Sequence, residues 1–360
     1  MTQREQQVLK LIQADAMISQ QAIADKLGIT RSSVAVHISN LMKKGYITGK
    51  GYVLRAETYA VVVGGVNVDI GGRSYSPLVS ADSNPGKVSI SMGGVGRNIA
   101  HNMRLMDLDV RLLTSYGDDL NGQRFSASCS ELGIDISRSL RIVGETTSSY
   151  VYLADNRGEM ALAISDMEIC KRITPEYLAS NASLLQGAQV IVADTNIPEV
   201  SLQYLANNSA CPLFIDPVST TKAKKLLPIL SSIHTLKPNI LEAALLAGIP
   251  IEKDADVEQA AQILLGKGVK SVFITMGSRG VYAAQADEAY WIPSIPGAMV
   301  NSTGCGDAVT AALVWAYLNE KNLRDSALAG LAAGSIAMES QETINPAMCI
   351  SALKKRAYNL

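Results

Sequence analysis

The spacing of hydrophobic positions changes once along this chain, near residue 58, and divides it in two. Before that point the period is helical. Val8, Leu11 and Ile12 repeat at helical spacing, and Ala22, Ile23 and Leu27 do so again behind Ser19. Val34, Ile38 and Leu41 then recur at i, i+4 and i+7. Ser19 is placed to cap the second helix, Gly28-Ile29-Thr30 breaks it, and a third helix starts near Arg31. Tyr46-Ile47, the turn Thr48-Gly49-Lys50-Gly51 and Tyr52-Val53-Leu54 predict a small β-hairpin. After residue 58, apolar strands at 59–65, 110–116, 189–194, 212–216, 235–238 and 271–276 alternate with helical patterns near 97–107, 119–132, 199–208, 222–232, 239–247 and 255–267. That alternation predicts an α/β fold, a mostly parallel sheet flanked by helices, with ligands beyond the carboxyl ends of its strands. Two segments break the pattern. Residues 150–153 and 160–164 flank the turn Asp155-Asn156-Arg157-Gly158, and with 85–92 they predict a small β lid, its segments near 73–92 and 146–165.

Charge follows the same division. Residues 1–56 hold eight Lys/Arg against three Asp/Glu, and the remainder holds 24 against 30. A small basic domain, 1–56, therefore precedes a larger acidic one, 57–360, across a short joint at Arg55-Ala56-Glu57-Thr58 without Gly or Pro. With a total of 360 residues, 48% hydrophobic and 18% charged, the chain can bury a sizeable core and is not a disordered polyelectrolyte. No apolar run reaches the ~18 residues of a membrane helix, and MTQREQQVLK lacks the apolar centre of a signal peptide. Five scattered cysteines without CxxC spacing, and three isolated histidines, argue against a disulfide framework or a thiolate or His-based metal site, and for a reducing cytoplasm.

In the basic domain, three short helices followed by a hairpin make a helix-turn-helix with a wing. The third helix offers Arg31, Ser32, Ser33 and His37, with Ala35 and Asn40, to a DNA major groove, while Lys43, Lys44 and Lys50 meet phosphates. The stretch SQQAIADKLGITRSSVAVHISNLMKKGYITGKGYVL resembles the winged-helix domains of bacterial transcription regulators. Double-stranded DNA is the partner this implies. A small helical cap or dimerisation module carries the same three-helix pattern. A single such module binds weakly, so specific binding implies two copies and hence a homodimer.

The candidate chemistry of the larger domain sits at strand ends. Asn67 and Asp69 follow the first strand, an amide and a carboxylate suited to vicinal hydroxyls. Gly93-Gly94-Val95-Gly96-Arg97-Asn98 opens a helix, and its glycines let backbone approach a ligand. Its glycine spacing is not the dinucleotide fingerprint, and no strand precedes it in the manner of a dinucleotide-binding fold. Near the C-terminus, Gly304, Cys305 and Gly306 place successive amides at the start of the apolar helix 308–318, an anion nest. Asp307, just behind, would repel a resting phosphate but can take the proton of a hydroxyl attacking one. Thr275, Gly277 and Gly280 end a strand as a nucleotide site would, and Lys237 precedes Asn239 and Glu242, which share one helical face and suit a hydrated Mg²⁺. Alone, this NxxE pattern also marks a capped helix start.

In order and spacing, GGVGRN, KPNxxE, TMGSRG and NSTGCGD resemble the ribokinase-like (PfkB) kinases over residues 59 to about 345. The resemblance implies ATP as co-substrate, Asp307 as catalytic base and the amides of 304–306 as the anion hole. It also implies Asn239 and Glu242 organising Mg²⁺, Thr275, Gly277, Gly280 and Lys237 at ATP, and Asn67, Asp69, Gly93, Gly94, Arg97 and Asn98 holding the sugar. Within that family ADSNPGK, GGVGRNIAHN, TSSYVYLAD, VADTNI and FIDPVS look like the pseudouridine kinases, with Asp82 and Asn84 in a polar loop placed to reach a base. A kinase for another ribonucleoside or sugar, or a transcription regulator using the domain as a ligand sensor, are the alternatives. Cys305 replaces the family's usual Ala, and Asn301 stands where many relatives carry an Asp that helps bind a monovalent cation, which weakens the case for K⁺.

Overall fold

The computed structural model describes residues 1–47 and 58–358. Contacts divide the chain into two compact units, Met1–Thr58 and Tyr59–Leu360, two residues beyond the expected joint.

The first unit holds helices Gln3–Ala14, Gln20–Leu27 and Arg31–Lys43. Each has a side-chain cap: Thr2 with Glu5 in a reciprocal box, Ser19 on the Ala22 amide, and Thr30 on the Ser33 amide. Val8, Ile12, Ile23, Val34, Ile38 and Leu41 form its core, as the spacing requires. Of the expected hairpin, Tyr46 and Ile47 are described, with Ile47 in this core; the rest, with Lys50, lies outside the described residues.

In the second unit, eight strands form one sheet. Val110–Leu113, Ala60–Val63, Val190–Asp194, Leu213–Asp216, Thr235–Leu236 and Ser271–Thr275 run parallel, in that spatial order. Val281–Ala284 and Ala289–Ile292 add an antiparallel edge that the hydrophobic pattern did not single out. Two apolar clusters, one on each face, account for the near-continuous burial of these strands. The segment expected as a helix over 222–232 is mostly a 3₁₀ stretch, Lys224–Ser232, because Pro228 inside it has no amide to donate.

The lid is a separate four-stranded sheet in the order Gly86–Gly93, Asn67–Ser74, Ser149–Ala154 and Met160–Asp166. It starts earlier than expected. Asn67 and Asp69 lie at the head of a lid strand and not at the end of a central one. The strand that runs into the GGVGRN segment, Gly86–Gly93, belongs to the lid and not to the central sheet.

Candidate active site

The carboxyl ends of the parallel strands carry three buried acids: Asp194 and Asp216 on the strands, and Asp307 on the helix that starts above them. The helix Cys305–Leu318 begins after Gly304, which sits in the left-handed region at φ 82°; a side chain there would also strike the Thr343 carbonyl. Its first amides point out of the helix without intrahelical acceptors. The Cys305 amide lies 3.4 Å from the Ser302 carbonyl. Asp307 is only 9% exposed, and its Oδ2 accepts from Asn98 Nδ2 at 2.9 Å. It therefore does not cap its own helix. Burial, and then the negative charge of Asp216, push its carboxyl up to about 8; the Asn98 bond and the Lys237 ammonium oppose them.

Asp216 Oδ2 accepts from Thr310 Oγ1 at 2.9 Å and pairs with Lys237 Nζ at 3.1 Å. Lys237 Nζ stands beside Gly306. Burial disfavours the Lys237 ammonium, yet the Asp216 carboxylate holds it above its ordinary value. The positive charge is thus kept next to the start of helix Cys305–Leu318, where the amides already favour an anion. We expect Asp216→Ala to leave this ammonium unpaired and to lower stability by ~3–5 kcal/mol, read from urea denaturation. A loss below ~1 kcal/mol would show that water reaches Lys237 instead.

Asp194 works differently. Its Oδ2 accepts from the Gly65 amide at 2.9 Å and the Gly96 amide at 2.7 Å, and its Oδ1 from the Asn196 amide at 2.8 Å. One carboxylate so joins the loop after strand Ala60–Val63 to the first turn of helix Val95–Leu105. That turn starts at Gly94, φ 96°, where an added side chain would meet the Gly65 carbonyl and Val66. Asn98 projects from it to Asp307. Sequence reasoning assigned no chemistry to Asp194, Asp216 or Thr310, although VADTNI and FIDPVS contain the first two; the Asp194 bonds to Gly65 and Gly96 and the Asp216 bond to Thr310 span 94 to 129 residues.

The remaining expected residues fall into three groups. Asn67 Nδ2 donates to Asp69 Oδ1 at 2.6 Å, and Gly93 lies against the Asp69 carboxylate, so these three meet. Burial raises the Asp69 carboxyl, opposed by the Asn67 bond and the Arg97 charge. Thr275 and Asn239 are bridge partners, and the Thr275 amide donates to the Pro238 carbonyl at 2.9 Å, which brings TMGSRG against KPNxxE. Gly277 is open to space, whereas Gly280 is packed against the Ile292 carbonyl, so the edge strand and not a ligand requires it. Asn239 and Glu242 form a reciprocal capping box, with the Asn239 amide on Glu242 Oε2 and the Glu242 amide on Asn239 Oδ1, each at 2.9 Å. Only Glu242 Oε1 stays outside that box.

Several expectations need correction. Asn84 spends its amide on its own loop, bonding the Val79 amide and carbonyl and the Asp82 carbonyl, and Asp82 Oδ1 accepts from the Ser83 amide. Asn301 braces its loop through Thr303 and Gln341. In the first unit, the exposed Lys44 pairs with the buried Glu5 at 2.7 Å, a partner that a phosphate would have to compete with. His37 is half-buried with Nδ1 inside, and Ser33 bonds Thr30, whereas Val36 and Ser39 join Arg31, Ser32 and Lys43 on the exposed arc.

Comparison with known proteins shows the family and the fold. The sequence pattern of the pfkB family carbohydrate kinases matches residues 57–348, and that of winged helix-turn-helix DNA-binding domains matches residues 1–48. The chain is 37% identical over 350 residues to the uncharacterized sugar kinase YeiI of Escherichia coli, covering 97% of both, so the similarity extends into the first unit. It is 40% identical over 300 residues to the pseudouridine kinase of Escherichia coli, covering 83% of this chain and 96% of that protein. Among solved structures, a carbohydrate kinase from Agrobacterium tumefaciens superposes with TM-score 0.73 at 25% identity, covering 83% of this chain and 97% of that one. Arabidopsis thaliana ribokinase complexed with ribose and ATP shares the fold, with TM-score 0.74 at 21% identity over 84% and 99% of the two chains.

Proposed function

The chain belongs to the pfkB family of carbohydrate kinases and carries an N-terminal winged helix-turn-helix, and from that premise we propose that it phosphorylates the 5′-hydroxyl of a nucleoside, pseudouridine, at the expense of ATP. The observation that carries the chemistry is the buried Asp307 carboxylate beside Lys237 at the open end of a helix. Asp307 takes the proton of the 5′-hydroxyl, whose oxygen bonds to the γ-phosphorus as the bond to the β-phosphate oxygen breaks and ADP leaves. The amides of residues 304–306 and the Lys237 ammonium hold the charge of the transferring group. Mg²⁺ bound with ATP would neutralise phosphate charge, and Asn239 and Glu242 are the residues to hold its water shell. Among the described residues no cluster of three or more His, Cys, Asp or Glu is placed to hold a metal. A hydrated Mg²⁺ carried mainly by phosphates fits one carboxylate oxygen, Glu242 Oε1.

The 40% identical pseudouridine kinase supports the substrate, and the lid supplies a physical reason. Strand register puts Tyr150 beside Asp69 and Tyr152 beside Gly71, so both rings share the lid face that bears Asp69. Tyr152 lies over Gly71, where a side chain would displace the ring, and the two ring centroids are 5.9 Å apart. Such a surface stacks on a planar base at ~1–3 kcal/mol per base. The test is the product: ³¹P and ¹H NMR of a reaction with ATP, Mg²⁺ and pseudouridine should show a monoester on the 5′-oxygen. Phosphate on another hydroxyl, or none, overturns the proposal.

The same proposal gives residues 1–58 a DNA-binding role, from a homodimer in the cytoplasm. All five cysteines are free thiols, the state a reducing compartment keeps. The opposite lid face aligns Val88, Gly72, Leu153 and Leu162 in one row and Ile90, Ile70, Val151 and Ile164 in the next. Val88, Ile90, Leu162 and Ile164 are each more than half exposed, and neither row holds a charge. At ~4.8 Å per strand the face is roughly 19 Å wide, a patch of interaction-site size. A second copy of the chain is the occupant that also supplies the paired half-sites, ~34–36 Å apart, that a winged helix needs. Selection from genomic DNA should enrich a repeat or palindrome, Val88→Asp with Ile90→Asp should give a monomer that loses it, and deletion of 1–58 should keep kinase turnover. No enriched sequence would mean the first unit does not read DNA.

A further inference from the structure

We propose that Arg97 is a positioning residue for the catalytic base: it holds the Asn98 amide in the one orientation that donates to Asp307, and ties that orientation to the end of the lid strand. The inference rests on reading Asp307 as the base. Arg97 is 6% exposed, so its guanidinium is not laid out toward solvent or an entering sugar. Its Nη1 donates to the Met92 carbonyl at 3.2 Å and to Asn98 Oδ1 at 3.3 Å, and its Nη2 to Ser128 Oγ at 3.3 Å. Met92 belongs to the lid strand Gly86–Gly93, and Ser128 to the helix Leu120–Leu132.

An asparagine amide has an acceptor end and a donor end that a half-turn exchanges. In the observed orientation Oδ1 faces a cation and Nδ2 faces the Asp307 carboxyl at 2.9 Å. The exchanged orientation sets N–H against N–H at Arg97 and, once Asp307 is deprotonated, oxygen against oxygen there. Arg97 is therefore the group that decides the flip, and its charge polarises the amide toward a stronger N–H···O bond. Among the described residues its Nε has no partner and no carboxylate hydrogen-bonds the guanidinium; Asp69, Cys129 and His101 act on it or feel it only through space. The other charged groups acting on Asp307 are the Asp216 and Asp194 carboxylates and the Lys237 ammonium, none of which touches Asn98.

The test follows the Asp307 carboxyl carbon by ¹³C NMR titration of the full chain, assigned by its loss in Asp307→Asn. Arg97→Met should raise the Asp307 midpoint by about one pH unit, Asn98→Ala should raise it equally, and the double variant should rise no further than Asn98→Ala. Should Arg97→Met not fold, Arg97→Leu, which also lacks a donor, carries the same comparison. An unchanged midpoint without Arg97, with a raised one in Asn98→Ala, overturns the inference. So does a shift from Arg97 that persists in the Asn98→Ala background, since it would show a direct charge effect. No substrate is needed, so the result stands apart from the kinase reading, which falls separately if Asp307→Asn turns over normally.

Discussion

Asp307→Asn is expected to cut kcat by ~10²–10⁴-fold or more while nucleoside affinity stays near wild type. The substitution keeps the size of the side chain and a partner for Asn98, and removes only the ability to take a proton. In the free wild-type enzyme burial first, and Asp216 second, hold this carboxyl at about 8. A base acts when deprotonated. Wild-type kcat/KM should therefore climb with pH, tenfold per unit on the acid side, and level off above about 8. The residual activity of Asp307→Asn should lack that limb. An asparagine has no charge to desolvate, so the urea midpoint of the variant at pH 8 should equal or exceed that of wild type. A less stable variant would point to misfolding and not to the loss of a base. Turnover close to wild type would remove Asp307 from the chemistry.

Much of the fold can be read from hydrophobic spacing, because a strand buried on both faces is a short unbroken apolar run. The run at 59–65 overshoots its strand, Ala60–Val63, because Gly64 and Gly65 belong to the site loop held by Asp194. The lid strand Asn67–Ser74 escaped notice. It carries Gly71, Gly72, Asp69 and Arg73, poor strand formers whose pairing is supplied by neighbours on both sides. The helix Leu323–Ala337 has no polar stripe to reveal it, since alanines and glycines bury it on most sides. Asp307 was legible because glycines and a helix start surround it in sequence. Asp194 and Asp216 were legible only as parts of a family pattern, because what gives them chemistry is the Gly65, Gly96, Thr310 and Lys237 groups brought to them by the sheet. The Lys44 pairing was hidden for the same reason: Glu5, its partner, is 39 residues away.

The larger expected effect concerns substrate choice. A site that hydrogen-bonds and stacks on a base leaves those groups unpaired when the base is missing, and such sites reject the lesser ligand by ~10⁴-fold. Asp69 and Asn67 alone would serve free ribose as well as a nucleoside. Tyr150 and Tyr152, on the same lid face as Asp69, are the surface proposed to stack on a base. The direct measurement is kcat/KM by coupled ADP release for pseudouridine, uridine and ribose under one set of conditions. Pseudouridine should lead ribose by ~10⁴-fold, with uridine below pseudouridine. Equal kcat/KM on pseudouridine and free ribose would show that the lid reads no base, and would leave the chain a sugar kinase of another specificity.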